Sequence, residues 1–441
     1  METTLLTGAA VTLDPGRGFF ADGAVAVRDG AIVEAGDAGA LRGRHPGAAV
    51  HDARGRLILP GFVNAHCHIY SALARGVPLP GPAPRDFPEI LERLWWRLDR
   101  ALDAPMIRAS ADLAALEAIR SGTTTLVDHH SSPSCIDGSL DVLAGALDAA
   151  GIRASLCFEV SDRDGAAKAG AAENIRWIEA SRARGGTIGA LFGLHASFTL
   201  DDATLEECAG LARDHGAGCH IHLAEHPVDD DESVRRSGLR AAERLARAGV
   251  LGPKAVVAHG VTLDDAQAAL LAETRTALVT NPRSNASNGV GATPVARLLA
   301  AGVPVGLGTD GYTYDIIEEA AHFPLAQRLV ALSPRAADGM LPRILTEGSP
   351  EVARRATGVR AGTIAAGNAA DLALLDYNPP TPLDEGSFWG HLAMGLPRAR
   401  VTDVMVNGRW LMRDGRVLTL DEERVRARAR EEARRLWAKM A

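Results

Sequence analysis

Between residues 57 and 310 the chain repeats one pattern: a short apolar or β-branched run, then an Ala/Leu-rich stretch of helical period. The runs fall near residues 57–66, 124–129, 153–159, 188–195, 218–222, 255–259, 276–281 and 303–310. Strands that alternate with helices must lie parallel, with helices covering the sheet. Eight such units, within the 307 residues of 57–363, point to a (β/α)8 barrel rather than an open sheet. Polar residues collect where the runs end: His66, His68, His129, His195, His222, His259, Asn281 and Asp310. In a barrel those C-terminal ends converge on one face, where active sites sit.

The two ends of the chain read differently. "AVAVRDGAIVEAGD" places Asp29-Gly30 between two strand-like segments, and Asn407-Gly408 and Asp414-Gly415 mark the same turn near the C-terminus. Residues 1–56 and 364–441 are therefore expected to form a composite β-sandwich with a closing helix over about 421–440, beside a barrel of residues 57–363.

Composition narrows the class. With 47 basic against 55 acidic residues the net charge is −8, so no general attraction to nucleic acid or an anionic membrane is expected. A small neutral or cationic substrate fits better. The five cysteines, Cys67, Cys135, Cys157, Cys208 and Cys219, contain no C-x-x-C pair, which argues against a disulfide framework or a thiolate zinc site and for a cytoplasmic location. No window approaches 18 consecutive apolar residues, and no secretory leader pattern opens the sequence.

Chemistry concentrates in four motifs. In "PGFVNAHCHIYSALARG", His66 and His68 share one face of a strand and form a pair suited to one metal ion. "HIHLAE" sets His222 beside Glu225, a ligand next to a general base; His220 shares the face but lies one layer deeper, in a supporting position. "VVAHG" ends in His259 and "VGLGTDG" in Asp310, whose flanking glycines admit a close approach. Imidazole and carboxylate without thiolate suit Zn²⁺, with Fe²⁺ as the other candidate. Such an ion lowers the pKa of bound water from about 15.7 to about 7, which makes water the nucleophile. No P-loop, G-x-S-x-G, Rossmann fingerprint or P-C-x-x-C deaminase motif competes.

Together these motifs resemble the amidohydrolase superfamily, in particular its cytosine, guanine, adenosine-type and s-triazine aminohydrolases. "WWRLDRALD", "DHHSSP", "NPRSNASNGVG" and "DYNPPTPL" extend the likeness to the SsnA-type aminohydrolases over nearly the whole chain. The resemblance implies His66, His68, His222 and Asp310 as metal ligands, Glu225 as proton shuttle, and His259 as the group that orients water and substrate, with Asp310 also catalytic. Binuclear relatives carry a bridging lysine or glutamate on the fourth strand. Here His195 stands there and no lysine is near, which favours one metal and gives His195 a substrate-binding role. A homodimer or higher homo-oligomer is likewise an expectation of the family.

Other residues have two readings each. Arg75 offers either a substrate contact or a structural salt bridge. One of His129 and His130 is expected to line the pocket, and His129 is taken for that role. Asn281, Ser284, Asn285 and Asn288 read as a hydrogen-bonded scaffold, Trp95 and Trp96 as core or interface, and Cys67 as pointing away from the ligands. The leading activity is hydrolytic deamination of a purine- or pyrimidine-like amino-heterocycle. Hydrolytic opening of an imidazolone- or hydantoin-like cyclic amide would use the same groups, and a catalytically silent binding protein would have no need of a complete ligand set.

Overall fold

A computed structural model describes residues 3–14 and 18–441. Residues 1, 2 and 15–17, part of the segment expected in the β-layer, lie outside the described residues. The terminal strands form one eight-stranded sheet in the order Arg416–Val417, Arg409–Arg413, Arg400–Val406, Leu372–Asp376, Ala49–Pro60, Thr4–Val11, Phe19–Arg28, Ala31–Asp37. Its three marked turns carry positive φ at both central residues, 53° and 78° at Asp29-Gly30, 51° and 76° at Asn407-Gly408, and 48° and 77° at Asp414-Gly415. That geometry suits the right-handed twist of the strands they join.

The sheet curls until its two halves meet. A Cβ on Gly408 would lie 3.0 Å from the Cα of Gly30, so the turns touch backbone to backbone. Leu6, Val25, Ile58, Leu372 and Met405, drawn from both halves, share one buried core. The sandwich-like layer thus comes from one folded sheet. The closing helix, Glu422–Met440, leaves this layer and packs on the barrel helix Ala104–Ser121. Trp437 Nε1 donates to Leu73 O at 2.9 Å, and Asp103 receives both Arg435 and Lys439 at 2.9 Å.

The chain passes from sheet to barrel at Gly61, where a Cβ would fall 2.2 Å from Thr124 Oγ1. The barrel strands form two parallel sheets. One contains Phe62–Cys67, Thr123–Asp128, Arg153–Leu156 and Ile188–Ala190; the other runs Phe192–Ala196, Cys219–Leu223, Val256–His259, Ala277–Thr280 and Val305–Leu307. The fourth run of the sequence therefore breaks at Leu191 and feeds both sheets. Single parallel bridges, Cys67 to Asp310 and Val160 to Leu194, join the sheets near their C-terminal ends. The helix Ser349–Thr357 packs across the opposite end against Val63, Val127, Val256 and Ala277. No described helix is long and apolar enough to cross a membrane.

One buried ion pair ties the terminal sheet to the barrel. Arg153 of the third barrel strand donates two bonds to Asp371, 2.9 and 3.1 Å, with 2% and 0% of the side chains exposed. Asp371 Oδ1 also accepts from Asn407 N at 2.7 Å, at the tip of a terminal-sheet turn. Removing one partner of such a pair strands a buried charge. Asp371→Ala should therefore lower unfolding free energy by about 3–5 kcal/mol in urea denaturation. The double variant Arg153→Met/Asp371→Leu should lose less than that single variant.

Candidate active site

Three histidines are pinned by their inner nitrogens. His68 Nδ1 lies 2.6 Å from His129 O, and His222 Nδ1 lies 2.9 Å from His195 O. A carbonyl only accepts, so each Nδ1 carries the hydrogen and each Nε2 keeps its lone pair. His66 Nδ1 meets His220 Nε2 at 2.9 Å, which gives His220 the supporting position expected of it. The outer nitrogens then converge. His68 Nε2 and His222 Nε2 are 3.2 Å apart, and Asp310 Oδ1 stands 3.0 Å from His68 Nε2 and 3.5 Å from His66 Nε2.

Two imidazole nitrogens facing each other beside a carboxylate make an arrangement that a cation at its centre would satisfy. The ligand atoms of His66, His68, His222 and Asp310 all lie within 4.8 Å of one another. His66 Nε2 is buried without a hydrogen-bond partner. Burial pushes the His66 imidazole down to about 3, so it presents a lone pair at neutral pH. This donor set fits a divalent metal ion held by nitrogen and oxygen, with room for water.

The proton-handling groups stand beside it, fixed by the helix Pro282–Ser287 and the residue that follows. His259 Nε2 is 3.6 Å from Glu225 Oε2 and 4.0 Å from Asp310 Oδ2, and has no hydrogen-bond partner. Its Nδ1 bonds Asn285 Oδ1 at 2.9 Å. Ser284 donates to Asp310 Oδ2, and Asn288 Nδ2 donates to Glu225 Oε1 at 3.2 Å. Asn281 Nδ2 approaches His259 Nδ1 at 3.4 Å. Burial, reinforced by the Asp310 charge and opposed by His259, pushes the Glu225 carboxyl up to about 7. Ala224, His259 and Asp310 all have left-handed backbone, φ 51°, 77° and 55°, which is costly for residues with a Cβ.

A cleft opens over these groups. Its aromatic wall is Tyr70, Phe87, Trp95, Trp96 and Phe198, and His195 also faces it. Trp95 and Trp96 were expected in core or interface, and the structure sets both on the cleft. Trp95, at the end of the π-helical turn Leu91–Trp95, also packs against the main hydrophobic core, as expected. Glu159, at the end of the third run, was passed over in the sequence. It lies 3.2 Å from His129 Nδ1 and 3.7 Å from His195 Nε2 and faces the cleft. Burial works against its charge, but His195 and His129 hold it well below the usual carboxylate range. Asp99, next to it on the wall, pairs with Arg163 at 2.9 Å, and burial still pushes it up to about 7.

Two residues expected at the substrate stand elsewhere. His129 is fully buried, its Nε2 3.0 Å from Leu194 O and 3.1 Å from His220 O, so it braces the barrel end behind His68 and Glu159. Arg75 is exposed beneath the C-terminal helix and makes a bidentate pair with Glu117, 3.0 and 2.8 Å. Its structural salt-bridge reading is the one observed. Cys67 points away from the ligands, towards Val127 O.

Comparison with known proteins agrees with this geometry. Residues 57–411 match the amidohydrolase family. A 5-methylthioadenosine/S-adenosylhomocysteine deaminase of Desulforudis audaxviator is 34% identical, covering 94% of this chain and 95% of its own. A 5'-deoxyadenosine deaminase of Methanosarcina mazei is 31% identical, over 98% and 97%. Among solved structures, a zinc-bound adenosine deaminase from Xanthomonas campestris superposes with a TM-score of 0.85 at 25% identity, covering 98% of each chain. An atrazine chlorohydrolase from Arthrobacter aurescens shares the fold, with a TM-score of 0.82 at 21% identity over 98% of this chain and 100% of its own.

Elemental analysis of the purified protein should find about one divalent ion per chain, the stoichiometry of a single four-ligand site. His222→Ala and Asp310→Ala should each lose most of it, whereas Arg75→Ala should retain it.

Proposed function

Because the chain belongs to the amidohydrolase family, we propose that it is a mononuclear aminohydrolase that deaminates a purine-like amino-heterocycle and releases ammonia. The observation that carries this reading is the convergence of His66, His68, His222 and Asp310 beside Glu225, a carboxyl poised near neutrality. The names of the relatives favour adenine nucleosides within that class. Zn²⁺ is the favoured ion, on the nitrogen-rich donor set and the zinc-bound neighbour.

When bound, the divalent ion supplies an activated water for attack on the amidine carbon of the ring. Glu225, protonated near neutral pH, donates to a ring nitrogen and makes that carbon more electrophilic. His259 and Asp310 orient the reacting oxygen, held in turn by Asn285 and Ser284. Glu225, anionic once it has given up its proton, takes the proton of the newly added oxygen, with Asp310 as its partner, and passes it to the amine, which leaves as ammonia while the ring carbon becomes a carbonyl. Asn288 keeps the Glu225 carboxyl at its station throughout. His195 and the aromatic wall hold the heterocycle.

The same reading includes a homodimer and a cytoplasmic location. Leu325, Leu329, Val330 and Leu332 are exposed on and just past the helix Ile316–Ala331, which supports an interface there. The free cysteines support a reducing compartment. Light scattering in solution should give twice the chain mass.

Ammonia release from a panel of aminopurines, aminopyrimidines and aminotriazines tests the activity. Glu225→Gln should keep its metal and lose about 10²–10⁴ in kcat. A new carboxylate without ammonia would point instead to opening of a cyclic amide. The pH profile follows from the acid role: the proton on Glu225 is lost as pH rises through about 7, so kcat/KM should fall on that side. An unchanged rate up to pH 9 would remove Glu225 as the acid.

A further inference from the structure

The helix Pro227–Ser237 carries three consecutive aspartates in its first turns, Asp229, Asp230 and Asp231. Negative charge suits a helix N-terminus, which would account for all three. Asp231 is exposed and Asp230 pairs with Arg240 at 2.7 Å, as that role requires. Asp229 behaves differently. It is 3% exposed, and among the described residues no basic side chain pairs with it. Burial, opposed by two backbone donors, pushes its carboxyl up to about 7. A buried carboxyl without a counter-charge is expensive to keep and must have both oxygens satisfied.

Both oxygens go to turns of the active site. Oδ2 accepts from Ala224 N at 2.8 Å, and Oδ1 accepts from Phe198 N at 3.1 Å. Ala224 immediately precedes Glu225 and has left-handed backbone, φ 51°, and its carbonyl accepts from Thr262 N at 2.9 Å. The peptide groups on either side of this residue are thus both held, which sets the direction in which Glu225 leaves the strand. Phe198 belongs to the aromatic wall, three residues after His195. The helix reaches that turn a second time: Ser233 Oγ donates to Asp229 O at 2.6 Å and meets Ser197 Oγ at 2.7 Å. Buried Arg244 completes the network, donating to Ser197 O and, at 2.7 Å, to Leu200 O.

We infer that Asp229 is a positioning residue: it fixes the Glu225 turn against the turn that carries His195 and Phe198, and so sets where the proton shuttle stands relative to the bound ring. The inference rests on the deaminase reading above and adds the group that keeps its shuttle in line. Asn288 holds the Glu225 carboxyl, and Asp229 holds the main chain from which that side chain springs. Proton transfer falls steeply when a reacting group is displaced. The metal ligand His222 keeps its own bond to His195 O, so the effect of Asp229 falls on the shuttle rather than on the metal.

Asp229→Asn keeps the size of the side chain but leaves one oxygen for two N–H donors. Ammonia release is measured with 5'-deoxyadenosine, or with whichever ring of the panel above the metal-loaded wild type turns over fastest. The variant should retain about one metal ion per chain, keep KM within about threefold and lose about 10- to 100-fold in kcat. In the Glu225→Gln background the same change should cost less than about threefold, because a residue that acts through Glu225 has nothing left to position. An unchanged kcat in the single variant, or a loss in the double variant that multiplies in full, would overturn the inference. Should Asp229→Asn not fold, Ser233→Ala takes its place: a kcat loss of about three- to tenfold that vanishes in the Glu225→Gln background supports the inference, and an unchanged kcat overturns it. If no ring releases ammonia, it is the deaminase reading that fails, and amide hydrogen exchange then judges the positioning alone. The folded variant should exchange at Ala224 and Phe198 about tenfold faster than wild type, and equal exchange overturns the inference.

Discussion

The carbonyl oxygens of His129 and His195 decide what this barrel can do. By accepting from His68 Nδ1 and His222 Nδ1 they fix both tautomers and turn the Nε2 lone pairs towards a common point. Each carbonyl belongs to the end of a neighbouring strand, so the registers that hold the sheets together also set the direction of the ligands. A cation at that point relieves the opposition of lone pairs 3.2 Å apart and the orphaned His66 Nε2 together. Local backbone conformation follows from the same demand. Ala224, His259 and Asp310 take left-handed φ at a cost of about 1–3 kcal/mol each, which the surrounding strands sustain.

Support for the ligands runs outwards in layers. The Pro282–Ser287 helix and Asn288 reach Asp310, His259 and Glu225 through one short segment, so a single loop sets the spacing of all three proton-handling groups. Below, the helix Ser349–Thr357 covers the far end of the barrel. At the side, the Arg153–Asp371 pair anchors the curled terminal sheet to the third strand, whose extension carries Glu159 to the cleft. The outer layer thus bears on the substrate wall as well as on stability.

The sequence made some of this legible and hid the rest for identifiable reasons. The H-x-H pair, the placement of His222, Glu225, His259 and Asp310 at run ends, and the D-G and N-G turns are local patterns, and local patterns survive in one sequence. Glu159 was as visible as the others, at the end of the run 153–159, but it stands outside any motif. Trp95 packs against the core as expected, and its facing the cleft as well, beside Trp96, is a tertiary outcome that no sequence period shows. Arg75 and His129 depend on partners 42 and 30 residues away, Glu117 and Glu159, which no spacing rule connects to them. The terminal strands were rightly grouped, yet their curling into one sheet depends on the meeting of Gly30 and Gly408, a contact across the whole chain.

What separates this site from a generic metal-binding barrel is the sorting of its carboxylates. Asp310 stays ionised because two imidazoles and the Ser284 hydroxyl face it. Glu225 is pushed towards neutrality because it is buried near that same negative charge, against the opposing pull of His259 and of the Asn288 amide. Glu159 is ionised again, on the strength of His129 and His195. Three acids of one barrel mouth therefore differ: Asp310 sits among the candidate metal ligands, Glu225 is pushed up to about 7, and Glu159 is held well below the usual carboxylate range. The division follows from which neighbour each strand end supplies.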